Sequence, residues 1–281
     1  MSRCQSFSSI KAFKQCKLKY YFRYIEKRKP EFKSPALLKG SKIHNQIAKA
    51  LPESEEAKFG LHFRKKYSKF YRDFQGSPLY FDKEERPFFE LIETRFGVDK
   101  NFESCSFNSK EAYFRGITDY IKIFVKKESI KKDEAFFSDM IKKVELYDWK
   151  TGSTWADKKQ LECYSLFLFN LFPGLEKVTC KIVYVTPLEE THKYYDNDKY
   201  SQEVEGKRFY LPESWSVSYK QYGDIKEGIQ KEIEKIEGCQ DFNPCKTPLC
   251  SWCEYPEACQ AFKEGPSEIL LSHKWEGLKL E

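Results

Sequence analysis

Residues 142–152, KKVELYDWKTG, decide how the chain is read. Val144 and Leu146 alternate with polar and aromatic neighbours, and Thr151-Gly152 closes the run, which predicts a short strand ending in a turn. Side chains two apart on a strand share a face, so Asp148 and Lys150 leave its end side by side. An Asp-x-Lys triplet alone carries little, since chance places it in any charged protein and a salt-bridged strand end is its plainer reading. Its position gives it weight: Asp119 stands at the end of the preceding strand. Paired carboxylates hold Mg2+ through oxygen, and a lysine beside them can orient or help deprotonate a water and balance charge on a pentacovalent phosphate.

Outward from this stretch, residues 111–125 (EAYFRGITDYIKIFV) alternate and predict a strand pair, or one strand bent near Gly116. On the other side, 157–172 form an amphipathic helix closed by Pro173-Gly174, and VTCKIVYVTP is a buried strand. Residues 191–211 read as a polar hairpin and 219–238 as a charged helix. Towards the N-terminus, Ser8-Ser9 caps a helix that Pro30 and Pro35 end, and a second helix from about Leu37 carries Gly40, His44 and Ile47. Helical patterns around 58–74 and 84–96 make 56–98 a helical insertion beside the core. Helices, strand, strand, helix, strand and helix in that order give a mixed α+β class with a small central sheet.

The 281 residues form a single domain on this reading, with a core that needs no disulfides. A mean hydropathy of -0.70 and no apolar run of membrane-spanning length exclude a membrane span. The start, MSRCQSFSSIKAFKQC, lacks a signal-type apolar stretch, so the expected location is a reducing cytoplasm of a bacterial, archaeal or phage-infected cell. A net charge of +6 is compatible with a polyanionic partner, though many cytosolic proteins are as basic. The 18 Tyr and 24 Phe could stack on bases, but core filling uses aromatics more often.

In a reducing compartment, clustered cysteines point to metal rather than to disulfides. Of ten, Cys4, Cys105, Cys163, Cys180 and Cys239 are scattered. Cys250-x2-Cys253-x5-Cys259 is compact enough to read as a metal site, the plainer alternative being a reduced cysteine-rich loop. Two tetrads are open. Cys245 would make a local set suited to a two-iron cluster or structural zinc; Cys16 would bring in a ligand from the first helix.

The succession SSIKAFKQCKLKYYFRY, GSKIHNQI, GITDYI, YDWKTG, QLECYSLF and CSWCEYPEAC resembles the RecB-like branch of the PD-(D/E)XK nuclease superfamily, from Ser8 to Cys259. That branch includes nuclease domains of bacterial recombination complexes and iron-sulfur nucleases linked to CRISPR adaptation. The resemblance implies a restriction-endonuclease-like core, a small mixed sheet flanked by helices, with residues 239–262 forming a cluster-binding segment packed on the N-terminal helix. It implies Asp119, Asp148 and Lys150 as catalytic residues; His44, Asp119, Asp148 and the Trp149 carbonyl as Mg2+ or Mn2+ ligands; and Gln160 with Tyr164 as DNA contacts. Cys16, Cys250, Cys253 and Cys259 would hold a 4Fe-4S cluster, with zinc the alternative. Asp148 stands where many superfamily members carry Glu; RecB-like members commonly have Asp there.

The expected function is a metal-dependent DNA nuclease, an exonuclease acting in recombination, repair or processing. The competing reading is an inactive iron-sulfur or zinc scaffold that binds DNA. No G-x-x-x-x-G-K-[ST] motif is present, so unwinding would fall to a helicase or recombination partner.

Overall fold

The computed structural model describes residues 3–31, 38, 40–45, 75–81, 87–125, 141–151, 157–185, 201–204, 207–210 and 212–263. In chain order its elements are β1 (Gln5–Ser6), α1 (Phe7–Gln15), α2 (Lys17–Tyr20), β2 (Gln75–Phe81), β3 (Pro87–Val98), β4 (Ser104–Cys105), β5 (Phe114–Val125) and β6 (Ile141–Lys150). There follow α3 (Lys158–Leu171), β7 (Lys177–Tyr184), β8 (Ser201–Val204), β9 (Lys207–Tyr210), β10 (Glu213–Ser218), α4 (Tyr222–Glu237) and α5 (Gln260–Lys263). Among the described residues no helix is long and apolar enough to cross a membrane. The chain divides into two compact units, Met1–Ser6 with Lys39–Lys231 and Phe7–Leu38 with Glu232–Glu281.

The first unit is built on a sheet ordered β10-β7-β6-β5-β3-β2, to which β1 adds beside β5 and β4 beside β3. β6 and β7 pair in parallel, as do β1 and β5, and the other neighbours are antiparallel, so the sheet is mixed. A parallel pair needs a crossover, and α3 supplies it between β6 and β7. Asp157 starts α3 by accepting the Lys159 N–H at 3.3 Å, which satisfies a donor that the first turn leaves open. Phe167 of α3 stacks on Phe96 at 5.4 Å and on Phe114 at 5.6 Å. Ile121, Ile123, Val144, Leu146 and Val178 are at most 1% exposed, each worth roughly 1.5–3 kcal/mol of burial. The mixed sheet with its helices is the restriction-endonuclease-like arrangement expected.

The helical pattern expected over 84–96 is wrong: β3 is a twelve-residue strand. Leu91 and Thr94 are buried, three apart, followed by Phe96 and Val98. The three-residue step imitates a helix, but it arises because Glu93 between them has a left-handed backbone, φ 47°, which shifts the phase of an otherwise alternating strand. Within the rest of the expected helical insertion, 75–81 form the strand β2, which also departs from that reading, and 56–74 and 82–86 lie outside the described residues. β8 and β9 pair antiparallel, as the hairpin reading requires, whereas β10 was not anticipated.

Glu145 of β6 is held by Lys143, by Lys181 at 3.0 Å and by the Tyr147 hydroxyl, which donates at 2.6 Å. Burial alone would raise its carboxyl, but these donors outweigh that and hold it at about 2. A depressed carboxylate contributes stability above its unfolded value, and the contribution is lost as pH falls from there through the folded value. Glu145→Gln should therefore cost about 3 kcal/mol at neutral pH, at 1.36 kcal/mol per pH unit, and flatten the loss of stability between about pH 4.5 and about pH 2. Urea melts of both proteins across that range check it; parallel acid limbs would refute the assignment.

In the second unit the first helix does not begin at a Ser8-Ser9 cap. It starts at Phe7, breaks at Cys16, whose backbone is extended (φ -162°, ψ 118°), restarts as α2 and ends in a wider turn over Tyr21–Ile25. Tyr20 stacks on Phe242 at 6.2 Å, and Phe22 lies between Tyr255 at 5.6 Å and the Arg28 guanidinium at 4.6 Å. Glu31 exchanges backbone with the tail, donating its N–H to the Glu254 carbonyl at 2.9 Å. Its carboxylate accepts the N–H groups of Glu257 at 2.7 Å and Ala258 at 3.2 Å. These contacts bring residues 16–31 together with 242–258 inside one unit.

Candidate functional site

Every residue of the site described here belongs to the first unit. Asp119 sits in the middle of the twelve-residue β5 and not at a strand end as expected, while Asp148 and Lys150 stand at the end of β6, and the Trp149 N–H joins the two strands there by donating to Asp119 Oδ2 at 2.9 Å. That bond fixes the Asp119 carboxylate and leaves Oδ1 free to turn towards His44, whose Nδ1 is 3.5 Å away. His44 lies in the helical residues 40–45. Gly40, one turn earlier on the same face, approaches Thr151 so closely that an added Cβ would stand 2.9 Å from Oγ1. A glycine there lets the helix come near the strand end where Asp148 and Lys150 emerge.

Asp148 is 5% exposed. Lys150 Nζ pairs with its Oδ2 at 2.6 Å and Gln160 Nε2 donates to Oδ1 at 3.2 Å, so both oxygens are engaged. Burial raises its carboxyl most; the Lys150 charge opposes that and the Asp119 charge adds to it. Tyr164, four residues beyond Gln160, is 5% exposed, and its ring lies on the bare backbone of Gly116, where a Cβ would meet Cε1 at 2.5 Å. Its hydroxyl is pushed up by burial first and then by the charges of Asp119 and Asp148, with a Gln160 hydrogen bond opposing. Gln160 is thus brought to the carboxylates, where it donates to Asp148, and Tyr164 lies beside it.

One residue of the site was missed. His44, Glu93 and Asp119 each offer a ligand atom, and these atoms lie within 4.8 Å of one another. Glu93 faces Asp119 across the β3–β5 pair, between the Ile92–Tyr120 and Thr94–Thr118 partners, at the left-handed position of β3. A non-glycine residue held there costs on the order of 1–3 kcal/mol, and such strain clusters at working sites. Burial and the nearby Asp119 charge raise the Glu93 carboxyl, and the Asp119 hydrogen bond raises His44. Two carboxylate oxygens and an imidazole nitrogen suit Mg2+ or, with the nitrogen, Mn2+, so the donor set fits a divalent cation. No sequence signal marks Glu93, a glutamate in a charged run.

Glu93→Gln should weaken Mn2+ binding by about 10- to 100-fold, because an amide oxygen replaces an anionic one beside the shared Asp119. Calorimetric titration of Mn2+ into both proteins measures it; equal affinities would remove Glu93 from the donor set.

A family model described as the PD-(D/E)XK nuclease superfamily matches residues 5–260. No curated protein matches the sequence.

Proposed function

The chain belongs to the PD-(D/E)XK nuclease superfamily, and from that premise we propose that it is a Mg2+- or Mn2+-dependent deoxyribonuclease, an exonuclease of the RecB-like branch acting in DNA recombination, repair or processing. The observation that carries this reading is the bond from the Trp149 N–H to Asp119, which holds the carboxylate of one strand against the Asp148–Lys150 end of the next. We take both compact units as parts of one nuclease domain, since the family match runs through both.

His44, Glu93 and Asp119 would hold the cation, with Asp148 and the Trp149 carbonyl, which the resemblance implies as ligands, the further oxygens. A divalent cation held there would supply the charge that polarises a phosphodiester and would lower the pKa of a water. Lys150 Nζ, positioned by Asp148, orients that water and balances the charge that develops on the phosphate. Gln160 keeps Asp148 turned to Lys150, and Tyr164 holds Gln160 from the core; a direct DNA contact by this pair is secondary in this reading.

The tail is assigned a 4Fe-4S cluster on Cys16, Cys250, Cys253 and Cys259, with zinc as the alternative. Cys245 is the exposed member of the five, and the other four are half-buried. Burial pushes the Cys253 thiol up, and the Cys16 and Cys250 sulfurs are close enough to raise it further. The cluster's part is structural. Cytoplasmic location and a helicase or recombination partner complete the proposal.

Digestion of end-labelled single- and double-stranded DNA tests it. Cleavage should require Mg2+ or Mn2+, stop in EDTA and be lost in Lys150→Ala. Full-rate cutting by chelated protein, or by folded Lys150→Ala, would overturn the site.

A further inference from the structure

Beyond the Glu93 kink, β3 and β5 stay in register, with Arg95 opposite Ile117 and Gly97 opposite Arg115. Partners across an antiparallel pair, and residues two apart on one strand, share a face. The opposite face of this pair, with Phe96, Gly116 and Phe114, is filled by Tyr164 and Phe167 of α3. The Arg95 face carries the exposed groups: Arg95 itself is exposed and Ile117 is 39% exposed. Phe107, from the loop after β4, brings the two arginines together, with Arg115 4.9 Å and Arg95 5.6 Å from its ring centre. Neither guanidinium forms an ion pair among the described residues. The track begins beside the candidate metal group, since Arg95 lies two residues beyond Glu93 on β3.

An arginine stacked on an aromatic ring keeps its N–H fork free and is weakly hydrated, which suits it to bidentate binding of phosphate. Resting on the nuclease reading above, we infer that Arg95, Phe107 and Arg115 form the track along which a DNA strand reaches the site, the two guanidiniums taking backbone phosphates and Phe107 holding them in place. Charge complementarity and continuity with His44, Glu93 and Asp119 select a nucleic-acid strand as the occupant. Phosphate contacts of this kind position a strand without reading its sequence.

The test uses the full chain carrying Lys150→Ala, so that the oligonucleotide survives, and fluorescence anisotropy of labelled single-stranded DNA in Mg2+. Adding Arg95→Gln and Arg115→Gln should weaken binding by roughly tenfold or more, the scale of one charge-assisted hydrogen bond. The slope of log affinity against log salt should flatten by about 1.4, or about 0.7 for each phosphate no longer neutralised. Phe107→Leu, which keeps both charges, should weaken binding with the slope largely retained. Calorimetric Mn2+ affinity should not fall in any of these, since removing a nearby positive charge does not weaken a cation site, and this separates the track from the metal group. Unchanged affinity and slope in the double variant, with DNA binding and cutting intact in the parent chain, overturn the track alone. A parent chain that neither binds nor cuts DNA overturns the nuclease reading and the track with it.

Discussion

Asp119→Asn should lower DNA cleavage by roughly 10³-fold while the protein melts within a few degrees of the parent. Asp119 belongs to the His44–Glu93–Asp119 group and also accepts the Trp149 N–H, so on the proposed reading it would serve the cation and the strand junction at once. An amide keeps an oxygen for that N–H but removes the anionic donor. Losing a metal's charge stabilisation costs several kcal/mol in the transition state, and about 4 kcal/mol is roughly 10³-fold. Asp119→Ala is the poorer experiment, because the stranded Trp149 donor adds about 1–3 kcal/mol of folding cost. The same holds at Asp148, which is buried and engaged by Lys150 and Gln160; Asp148→Asn separates chemistry from fold better than Asp148→Ala. Single-turnover cleavage, thermal melts and Mn2+ titration together check the result, and a parental rate in folded Asp119→Asn would remove Asp119 from the mechanism.

The Asp148–Lys150 end of β6 was legible because strand alternation and a closing turn are local signals, and α3 because a helix between apolar strands announces its own start and stop. β3 was not legible: the kink at Glu93 broke its period of two into a step of three, and the element that decides its state, β5, pairs with it from beyond a turn and another strand. Glu93 was invisible for the same reason. Its partner, Asp119, is chosen by register, and a register between distant strands leaves no mark in either one alone. The resemblance, and not any local signal of exposure, made Tyr164 a DNA contact together with Gln160. Spacing places the two on one helix face but does not show that Gly116 opens a seat for the ring beneath it. The break at Cys16 is likewise a tertiary effect, since KAFKQCKLKYY is helical by pattern throughout.

Cys16→Ser should give pale, aggregation-prone protein with little iron or sulfide, whereas Cys245→Ser should stay coloured and soluble. The two cysteines are neighbours: the Cys245 N–H points at Cys16 Sγ at 3.5 Å, and the Cys250 thiol donates to the Cys245 carbonyl at 3.6 Å. Both contacts use the Cys245 backbone, which serine retains, and its exposed thiol takes no part in them. Cys16 enters through its sulfur, at a break between two helices that places an extended residue where a helical one was expected. A ligand set joining Cys16 to Cys250, Cys253 and Cys259 closes a loop over most of the chain, and long closures remove the most entropy from the unfolded state, on the order of a few kcal/mol. Thiolate ligation occurs only in the folded state, so its binding energy appears as stability, and loss of one ligand should lower the melting temperature of the whole protein. Cys250→Ser, Cys253→Ser and Cys259→Ser should fall with Cys16→Ser. Iron and sulfide assays with melts on the five variants decide it. A full cluster in Cys16→Ser with loss in Cys245→Ser would mean that the tail binds its metal locally, through C-x4-C-x2-C spacing, and that the N-terminal segment is held without it, by its aromatic contacts, the bonds of Glu31 and the Lys14–Glu232 and Arg23–Glu254 ion pairs.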